Sequence, residues 1–390
     1  MTNIFIKKEA HISGIGTALP YPVSTERMLE VDEAMRRFHG QPDSVISRMK
    51  SFVKGTGIHT RHYSHPIWIE DNRSIDDYEE AKRVALSHDI YTPNKFIPPY
   101  WQRMEVFNDT ATKLAVEAAR RALDNWGGKA SDVTHIITTC TSGWSEPGIA
   151  VSVMEALELS DDCQKAELNF NGCFCGATCL RIARDIIRAG DAKAVLVVAV
   201  EVASTHYDVN ATDISSLVAH SLFADGAAAI ILSDEGKWKY TQTGMSLVPK
   251  SQHLLGLVPP TGPDQTSYRM TLNREVGKKL GEYFCDEAGS KILNKLHSNA
   301  DKSKPALGIH PGGPNILDHV GCVFYDLGWP TNALQSSYDT LQSIGNLGAA
   351  AMMFVLARRL DTIEEDELIT LAFGPGVTVE WAKLEKVSSQ

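Results

Sequence analysis

The chain has 390 residues, of which 43% are hydrophobic and 22% are charged, as is usual for a globular protein with a large core. The formal net charge of −10 argues against nucleic acid or an anionic membrane as the main partner. No run of about 18 apolar residues could span a membrane, and the N-terminus does not resemble a secretory signal.

The first half of the chain predicts alternating strands and helices. In chain order, we expect a strand over 11–14, a helix over 43–54, an irregular polar excursion over 63–101, a helix over 108–126 capped by Asp109 or Thr110, and strands over 133–139, 166–170, 192–203 and 227–232. The strand over 192–203 is apolar and rich in β-branched residues, which is typical of a central strand buried on both faces.

Cys173 lies where the predicted strand over 166–170 turns into a predicted helix over 174–188 that ends at Gly190. Unpaired N–H groups and the helix dipole lower the pKa of a thiol at such a position. Small residues at Gly176 and Ala177 leave room for a substrate. The pattern predicts a cysteine nucleophile, although a lone Cys at a helix start is more often structural.

The seven cysteines are an odd number scattered through a large chain, which predicts reduced thiols in a cytoplasmic protein. Cys173, Cys175 and Cys179 are clustered, but their spacing is not that of a zinc site. No second Cys or His pair lies at a matching distance. We therefore expect no metal site.

The second half repeats the pattern of strand, turn and helix after a boundary near 233–245. We expect an irregular stretch over 264–277, one helix over 275–297, a strand over 306–309, a helix opened by a turn over 345–360, and closing strands over 367–373 and 377–384. The order of elements predicts a layered α/β architecture with helices between and outside two sheets.

Two residues of the second half are candidate partners of Cys173. His310 ends a strand and precedes the rigid turn 311–314, and Asn346 opens the helix over 345–360. Cys, His and Asn at three such junctions fit acyl chemistry, in which a thiolate attacks a carbonyl and the other two stabilise negative charge on oxygen. A turn residue and a helix cap are the ordinary alternatives for His310 and Asn346.

Four segments of the sequence resemble the signature segments of type III polyketide synthases, the chalcone-synthase-like branch of the thiolase superfamily. They are 171–181, 309–318, 345–346 and 372–376. The resemblance implies a homodimer with a duplicated αβαβα layered fold, divided here into halves over 1–235 and 236–390. It also implies an acyl-CoA starter on Cys173, decarboxylation of malonyl-CoA, and an enolate stabilised by His310 and Asn346, without a metal or other cofactor.

The resemblance also implies roles for residues around these three. The expected substrate cavity residues are Phe223, Phe373, Thr141, Glu146, His206 and Gly348. The expected CoA-binding residues are Arg48, Lys50, Lys54 and Asn315. Core packing is the alternative for the aromatic residues, and a solvated basic face is the alternative for the cations.

Several positions depart from the plant members of the family. Ala372 stands where they have Gly, Glu146 where they have Met, and His206 and Gly348 where they often have Thr and Ser. We therefore expect a fatty or β-ketoacyl starter and a pyrone or resorcinol product.

Other functions stay open. The enzyme alternatives are a ketosynthase that performs a single condensation and a chalcone- or stilbene-type synthase with an aromatic starter. The non-enzyme alternative is a catalytically silent binding protein of the same fold. A papain-like protease also uses Cys, His and Asn, but the Gly-Pro-Gly segments would have no role in that mechanism.

Overall fold

The computed structural model describes residues 8–64, 68, 100–258, 268–297 and 304–387. Most of the excursion expected over 63–101 lies outside these residues, as does the start of the irregular stretch over 264–277.

Within the described residues the chain alternates between strands and helices. The strands are β1 (His11–Ala18), β2 (Tyr21–Ser24), β3 (Thr60–Tyr63), β4 (Val133–Thr139), β5 (Gln164–Glu167), β6 (Ala194–Val202), β7 (Asp225–Ser233), β8 (Trp238–Leu247), β9 (Leu255–Val258), β10 (Arg269–Leu272), β11 (Ala306–Ile309), β12 (Glu367–Gly374) and β13 (Thr378–Lys386). The helices are α1 (Thr25–Phe38), α2 (Asp43–Gly55), α3 (Tyr100–Trp126), α4 (Ile149–Ala156), α5 (Cys175–Ala189), α6 (Ile214–Leu222), α7 (Val276–Cys285), α8 (Glu287–Leu296), α9 (Pro314–Asp326), α10 (Gln335–Ile344) and α11 (Ala351–Arg359).

Nine strands form one hydrogen-bonded sheet in the order β11-β12-β13-β8-β1-β7-β6-β4-β5. Five strands of the first half lie at one end, and four strands of the second half lie at the other. Within the described strands, the two groups pair through His11 and Ile12 in β1, which lie opposite Lys239 and Trp238 in β8. The two sheets that we expected are therefore joined edge to edge by two residue pairs.

Helices α5 and α11 form the layer between the two groups of strands. α5 contacts β4, β6 and β7 of the first half and β8 and β13 of the second, while α11 contacts β1, β7 and β11. Apolar residues of both helices share one buried core with the inner faces of the strands. Helices α3 and α4 cover the outer face of the first half, and α7 and α9 pack in the outer core of the second half. The layers therefore follow the αβαβα order.

The contact between β1 and α3 depends on two glycines. A Cβ atom at Gly16 would lie 2.2 Å from the carbonyl oxygen of Ala118, and one at Gly14 would lie 2.4 Å from that of Ala122. Because real Cβ atoms do not approach backbone so closely, only glycine lets the helix lie this near to the strand.

The predictions for β4, β11, and the hairpin of β12 and β13 are confirmed. The strand expected over 166–170 is instead β5 at Gln164–Glu167, and Phe170 has a left-handed backbone with φ of 60°. The single helix expected over 275–297 is wrong. It is broken at Asp286, whose carboxylate accepts the N–H groups of Ala288 and Gly289 and so caps a new helix.

Two further expectations fail at element boundaries. The helix expected over 108–126 begins at Tyr100, so neither Asp109 nor Thr110 caps it, and Asp109 instead pairs with Lys113 one turn later at 2.8 Å. The strand β8 (Trp238–Leu247), which we did not predict, covers part of the boundary expected near 233–245. The division into halves at residue 235 stays a prediction.

Candidate active site

Cys173 lies in the tight turn that leads into α5. The helix begins two residues later, and the N–H of Cys175 donates to the carbonyl oxygen of Gly172 at 3.0 Å. Gly172 has φ of 92°, and a Cβ atom there would lie 2.3 Å from Cδ of Pro375. The turn therefore requires glycine, and it brings Cys173 against the loop between β12 and β13.

The Cys173 side chain lines a cavity with about 940 Å³ of empty volume. We call this space the acyl cavity. Its lining residues are Tyr63, Thr141, Ser142, Gly172, Cys173, Glu201, Ala203, Ser204, His206, Tyr207, Ser216, Ala219, His220, Phe223, Leu255, Gly256, Leu257, Tyr268, Met270, Gly348 and Pro375.

The thiol of Cys173 is protonated at neutral pH. Burial, together with the negative charge of Glu201, raises its pKa to about 12. The lowering of this pKa expected from the start of α5 is therefore wrong, because Cys173 precedes the first helical residue and the partial burial of its side chain disfavours the thiolate.

Glu201 is a site residue that the sequence analysis missed. It lies in β6 and is 3% exposed, and its carboxylate accepts the N–H groups of Thr141, Ser142 and Ala349 at 2.9–3.3 Å. Burial raises the pKa of this carboxyl. A charged residue within the apolar run over 192–203 was the signal that could have identified it.

His310 follows β11 and is 2% exposed. Its backbone N–H donates to the carbonyl oxygen of Leu371, which fixes the turn against β12. Burial lowers the pKa of its imidazole to about 4, so the ring is neutral at pH 7.

Asn346 joins the histidine turn to the acyl cavity. Its Nδ2 donates to the carbonyl oxygen of Gly312 at 3.2 Å, and its Oδ1 accepts the N–H of Gly348 at 3.0 Å. Its backbone pairs with Phe223 in an isolated parallel bridge. Because Phe223 and Gly348 line the acyl cavity, the amide side chain is held between this cavity and the turn that follows His310.

A second cavity has about 1240 Å³ of empty volume. Asn346 and the turn that follows His310 separate it from the acyl cavity, and we call this region the partition. It is lined by the last turns of α2, one face of α6, residues 272–276 and the turn over 312–316. Neither His310 nor Asn346 lines either cavity. Gly312 and Gly313 line the second cavity, so the two predicted partners of Cys173 lie between the two spaces.

Of the four expected CoA-binding residues, Asn315 lines the second cavity, and Arg48 lies on a neighbouring part of α2. Arg48 is exposed on the face of α2 that carries the lining residues Ser51 and Gly55. Lys50 lies on another face, where its ammonium pairs with Glu33 of α1 at 2.6 Å. Lys54 is exposed and is not part of the lining.

Of the six expected cavity residues, four line the acyl cavity: Thr141, His206, Phe223 and Gly348. Phe373 is 2% exposed and packs edge-on against Phe284, with ring centroids 6.2 Å apart, in the outer core of the second half. Glu146 is exposed on the surface and does not line the cavity within one chain. The aromatic residues Tyr63, Tyr207 and Tyr268 complete the wall, and sequence reasoning missed them.

Gly348 adopts a left-handed conformation with φ of 53°, and a Cβ atom there would lie 2.9 Å from Cγ of Glu201. A side chain at this position would therefore meet the side chain of Glu201. Among the described residues, no group of three His, Cys, Asp or Glu side chains could hold a metal ion. None of the described helices is both long and apolar enough to cross a membrane.

Family models and solved structures agree with this arrangement. The N-terminal domain model of chalcone and stilbene synthases matches residues 83–235, and the C-terminal domain model matches residues 263–388. Bisdemethoxycurcumin synthase of Oryza sativa subsp. japonica is 28% identical over 314 residues, which cover 73% of this chain and 74% of the relative.

Solved type III polyketide synthases share the fold. The C-terminal domain of Steely1 from Dictyostelium superposes with a TM-score of 0.80 at 24% identity, over 97% of this chain and all of that chain. The enzyme PKS-I from the brown alga Ectocarpus siliculosus gives 0.83 at 20% identity, over 98% and 99%. The pentaketide synthase from Neurospora crassa gives 0.79 at 24% identity, over 97% and 100%.

The layered fold and the cysteine site thus define a condensing enzyme with a thiolase-like fold. The chain belongs to the chalcone and stilbene synthase family, whose members are type III polyketide synthases. It is accordingly an acyltransferase that uses CoA thioesters in decarboxylating condensations. Enzymes of this family use malonyl-CoA and acyl-CoA substrates and usually act as dimers.

Proposed function

We propose that this enzyme loads a fatty or β-ketoacyl starter from its CoA thioester on Cys173, extends it with malonyl-CoA units, and cyclises the chain to a pyrone or a resorcinol. The observation that supports this most is the acyl cavity, in which Cys173 faces a wall of aromatic and apolar residues. CoA thioesters serve as substrates, and the reaction proceeds without a bound metal or other cofactor.

Loading begins with removal of the Cys173 proton. His310 can accept it, because its imidazole is neutral and has a free lone pair at pH 7. The resulting thiolate attacks the carbonyl carbon of the acyl-CoA. The bond to the CoA sulfur then breaks, CoA leaves as a thiol with the proton, and the acyl group stays on Cys173.

Extension requires an enolate. Malonyl-CoA loses CO₂, and the electron pair of the broken bond passes into the thioester as an enolate. The amide of Asn346 has one N–H bonded to Gly312, which leaves a second for the enolate oxygen. A ring N–H of His310 is the second donor. The enolate carbon attacks the acyl thioester, and the Cys173 thiolate leaves.

The two cavities suit the two parts of a CoA thioester. Exposed Arg274 lines the second cavity, and exposed Arg48 lies on the face of α2 that carries the lining residues Ser51 and Gly55. Guanidinium groups bind phosphate well. We propose that it receives the CoA portion while the acyl chain occupies the acyl cavity. This arrangement places the reacting thioester in the partition that holds His310 and Asn346.

We also propose a homodimer. The edge strand β5 pairs only with β4 among the described strands, so its other side can accept a strand from a second copy. Trp144 and Phe170 are exposed apolar residues of the first half, at 59% and 46%. Analytical ultracentrifugation of the purified protein tests this, and a sedimenting species of one chain mass would contradict it.

The test of function is mass spectrometry of products made from labelled malonyl-CoA and a panel of starters. The panel runs from acetyl-CoA to stearoyl-CoA and includes β-ketoacyl and coumaroyl thioesters. We expect a cyclised product that contains two or more labelled C2 units and a long-chain starter. A single labelled unit would favour the one-condensation alternative, and preference for the coumaroyl thioester would overturn the proposed starter class.

A further inference from the structure

One side of the acyl cavity is built on a buried charge cluster that takes no part in the proposed chemistry. Tyr207 lines this side, and its hydroxyl donates to Oδ1 of Asp32 in α1. The same oxygen accepts a hydrogen bond from Nε of Arg36 at 2.8 Å. Both charged residues are fully buried.

Arg36 also holds the backbone beyond Tyr207. Its Nη1 donates to the carbonyl oxygens of Val209 and Ala211 at 2.9 and 3.1 Å. We call residues 205–211 the wall loop. From α3, Nη1 of Arg103 donates to the carbonyl oxygens of Thr205 and Tyr207 at 2.8 and 3.3 Å. Two buried guanidinium groups therefore fix four carbonyl groups of this loop.

The wall loop also contacts α6. The Tyr207 ring stacks on the His220 ring with centroids 4.4 Å apart, and the N–H of Asp208 donates to Nε2 of His220 at 3.3 Å. His206, Tyr207 and His220 all line the acyl cavity. A shift of the loop would therefore move three lining side chains together.

A buried ion pair is a weak source of stability, because the loss of hydration offsets most of the attraction between the charges. Apolar residues would fill the space between α1 and the wall loop at least as well. What the charged pair supplies and apolar residues do not is directed hydrogen bonds to particular carbonyl oxygens and to one phenol. The cluster therefore specifies a loop position.

We propose that Asp32 and Arg36 are positioning residues for starter selection, which they control by fixing the wall loop and hence the shape of the acyl cavity. This inference rests on the proposed function for its substrate, an acyl-CoA. The fixing of the wall loop by Asp32 and Arg36, which we call the clamp, does not depend on the proposed function and can be measured without turnover.

The test uses Tyr207→Phe and Asp32→Asn in the full-length protein. The first removes one hydroxyl and keeps the ring, and the second removes the charge and keeps the size. Tyr240→Phe is the matched control, because Tyr240 is also a buried tyrosine, at 2% exposure, but does not line the cavity. Hydrogen exchange of residues 205–211 reports the clamp. Intact-protein mass after incubation with hexanoyl-CoA to stearoyl-CoA reports which chains load on Cys173.

We expect amide exchange in the wall loop to rise at least tenfold in both cluster variants and to stay unchanged in Tyr240→Phe. We also expect the ratio of long-chain to short-chain loading to change at least fivefold in both cluster variants. In Asp32→Asn, whose changed residue does not line the cavity, the best starter should still load within twofold of wild type. A merely structural role would lower loading of all chains equally.

Three results would count against these ideas in separable ways. Unchanged exchange of 205–211 in both variants would overturn the clamp. Raised exchange with an unchanged loading ratio would overturn the role in starter selection. Failure of the wild-type protein to load any acyl chain would contradict the proposed function, while the exchange measurement would still decide the clamp.

Discussion

Replacing Glu201 with Gln tests how the protein sets the reactivity of Cys173. The pKa of the thiol is raised to about 12, first by burial and second by the charge of Glu201. Glutamine has nearly the same size and shape and removes only the charge. We therefore expect Glu201→Gln to lower the pKa of the thiol and to leave the effect of burial in place.

The size of the effect follows from the electrostatics. At an effective dielectric constant of about 20, a charge that shares a cavity with the thiol shifts its pKa by roughly one to two units. With a pKa near 12, only about one thiol in a thousand is ionised at pH 9. Glu201→Gln should therefore raise the rate of thiolate reactions at pH 9 by roughly 10- to 100-fold.

The assay is alkylation by iodoacetamide between pH 6 and 10, with peptide mass spectrometry to separate Cys173 from the exposed Cys285 and Cys322. For the wild type, the logarithm of the rate should rise by one for each pH unit across the whole range. In Glu201→Gln the line should be parallel and higher. Glu380→Gln is the control, because Glu380 is a carboxylate of similar burial, at 2% exposure, that is not a cause of the shift at Cys173.

Two observations would refute this reasoning. One is a wild-type rate that reaches a plateau below pH 8, since that would show a low thiol pKa. The other is a Glu201→Gln profile that coincides with those of the wild type and of Glu380→Gln. Because glutamine presents an N–H group to backbone donors, the variant should also lose about 1–3 kcal/mol of stability, so its folding must be checked by circular dichroism.

Three further predictions concern catalysis and the packing of the fold. Cys173→Ala should abolish acyl loading and product formation while malonyl-CoA decarboxylation continues, as measured by release of labelled CO₂; loss of both in a folded protein would contradict this division of roles. His310→Ala and Asn346→Ala should each slow decarboxylation by ~10²-fold or more, as for the loss of an oxyanion donor, and wild-type rates in both would remove them from the enolate site. Gly16→Ala should lower the free energy of unfolding by about 1–3 kcal/mol in urea denaturation, because its Cβ atom would meet the main chain of α3. Gly55→Ala, where nothing lies within 4 Å of the added Cβ, is the control that should not destabilise, and equal losses in the two variants would contradict the packing argument.

The sequence predicted those parts of the fold whose signal is local. Strand β6 was recognisable because every one of its residues is buried, which requires an apolar run. The break at Asp286 was not recognisable, because the apolar spacing continues on both sides and only the capping bonds of the carboxylate end one helix and start the next. Strand β8 was missed because its burial alternates weakly and its register is set by β13.

The candidate site shows the same limit. Cys173, His310 and Asn346 could be proposed from sequence because each lies at a turn between regular elements. Their ionisation states could not, since a pKa depends on burial and on neighbours such as Glu201 that are distant in the chain. The charge cluster that contains Asp32 and Tyr207 could not be predicted from the sequence either, because these two residues are 175 positions apart in the chain.

Helix α6 lies between the two cavities, and each of its two faces lines a different one. Ser216, Ala219 and His220 face the acyl cavity, and Ser215 and Val218 face the second cavity. In the arrangement that we propose, substitutions on the first face would change which acyl chain fits without changing the binding of CoA, and substitutions on the second face would do the reverse. Substitutions in this one helix of nine residues could therefore change product length and affinity for the CoA thioester separately.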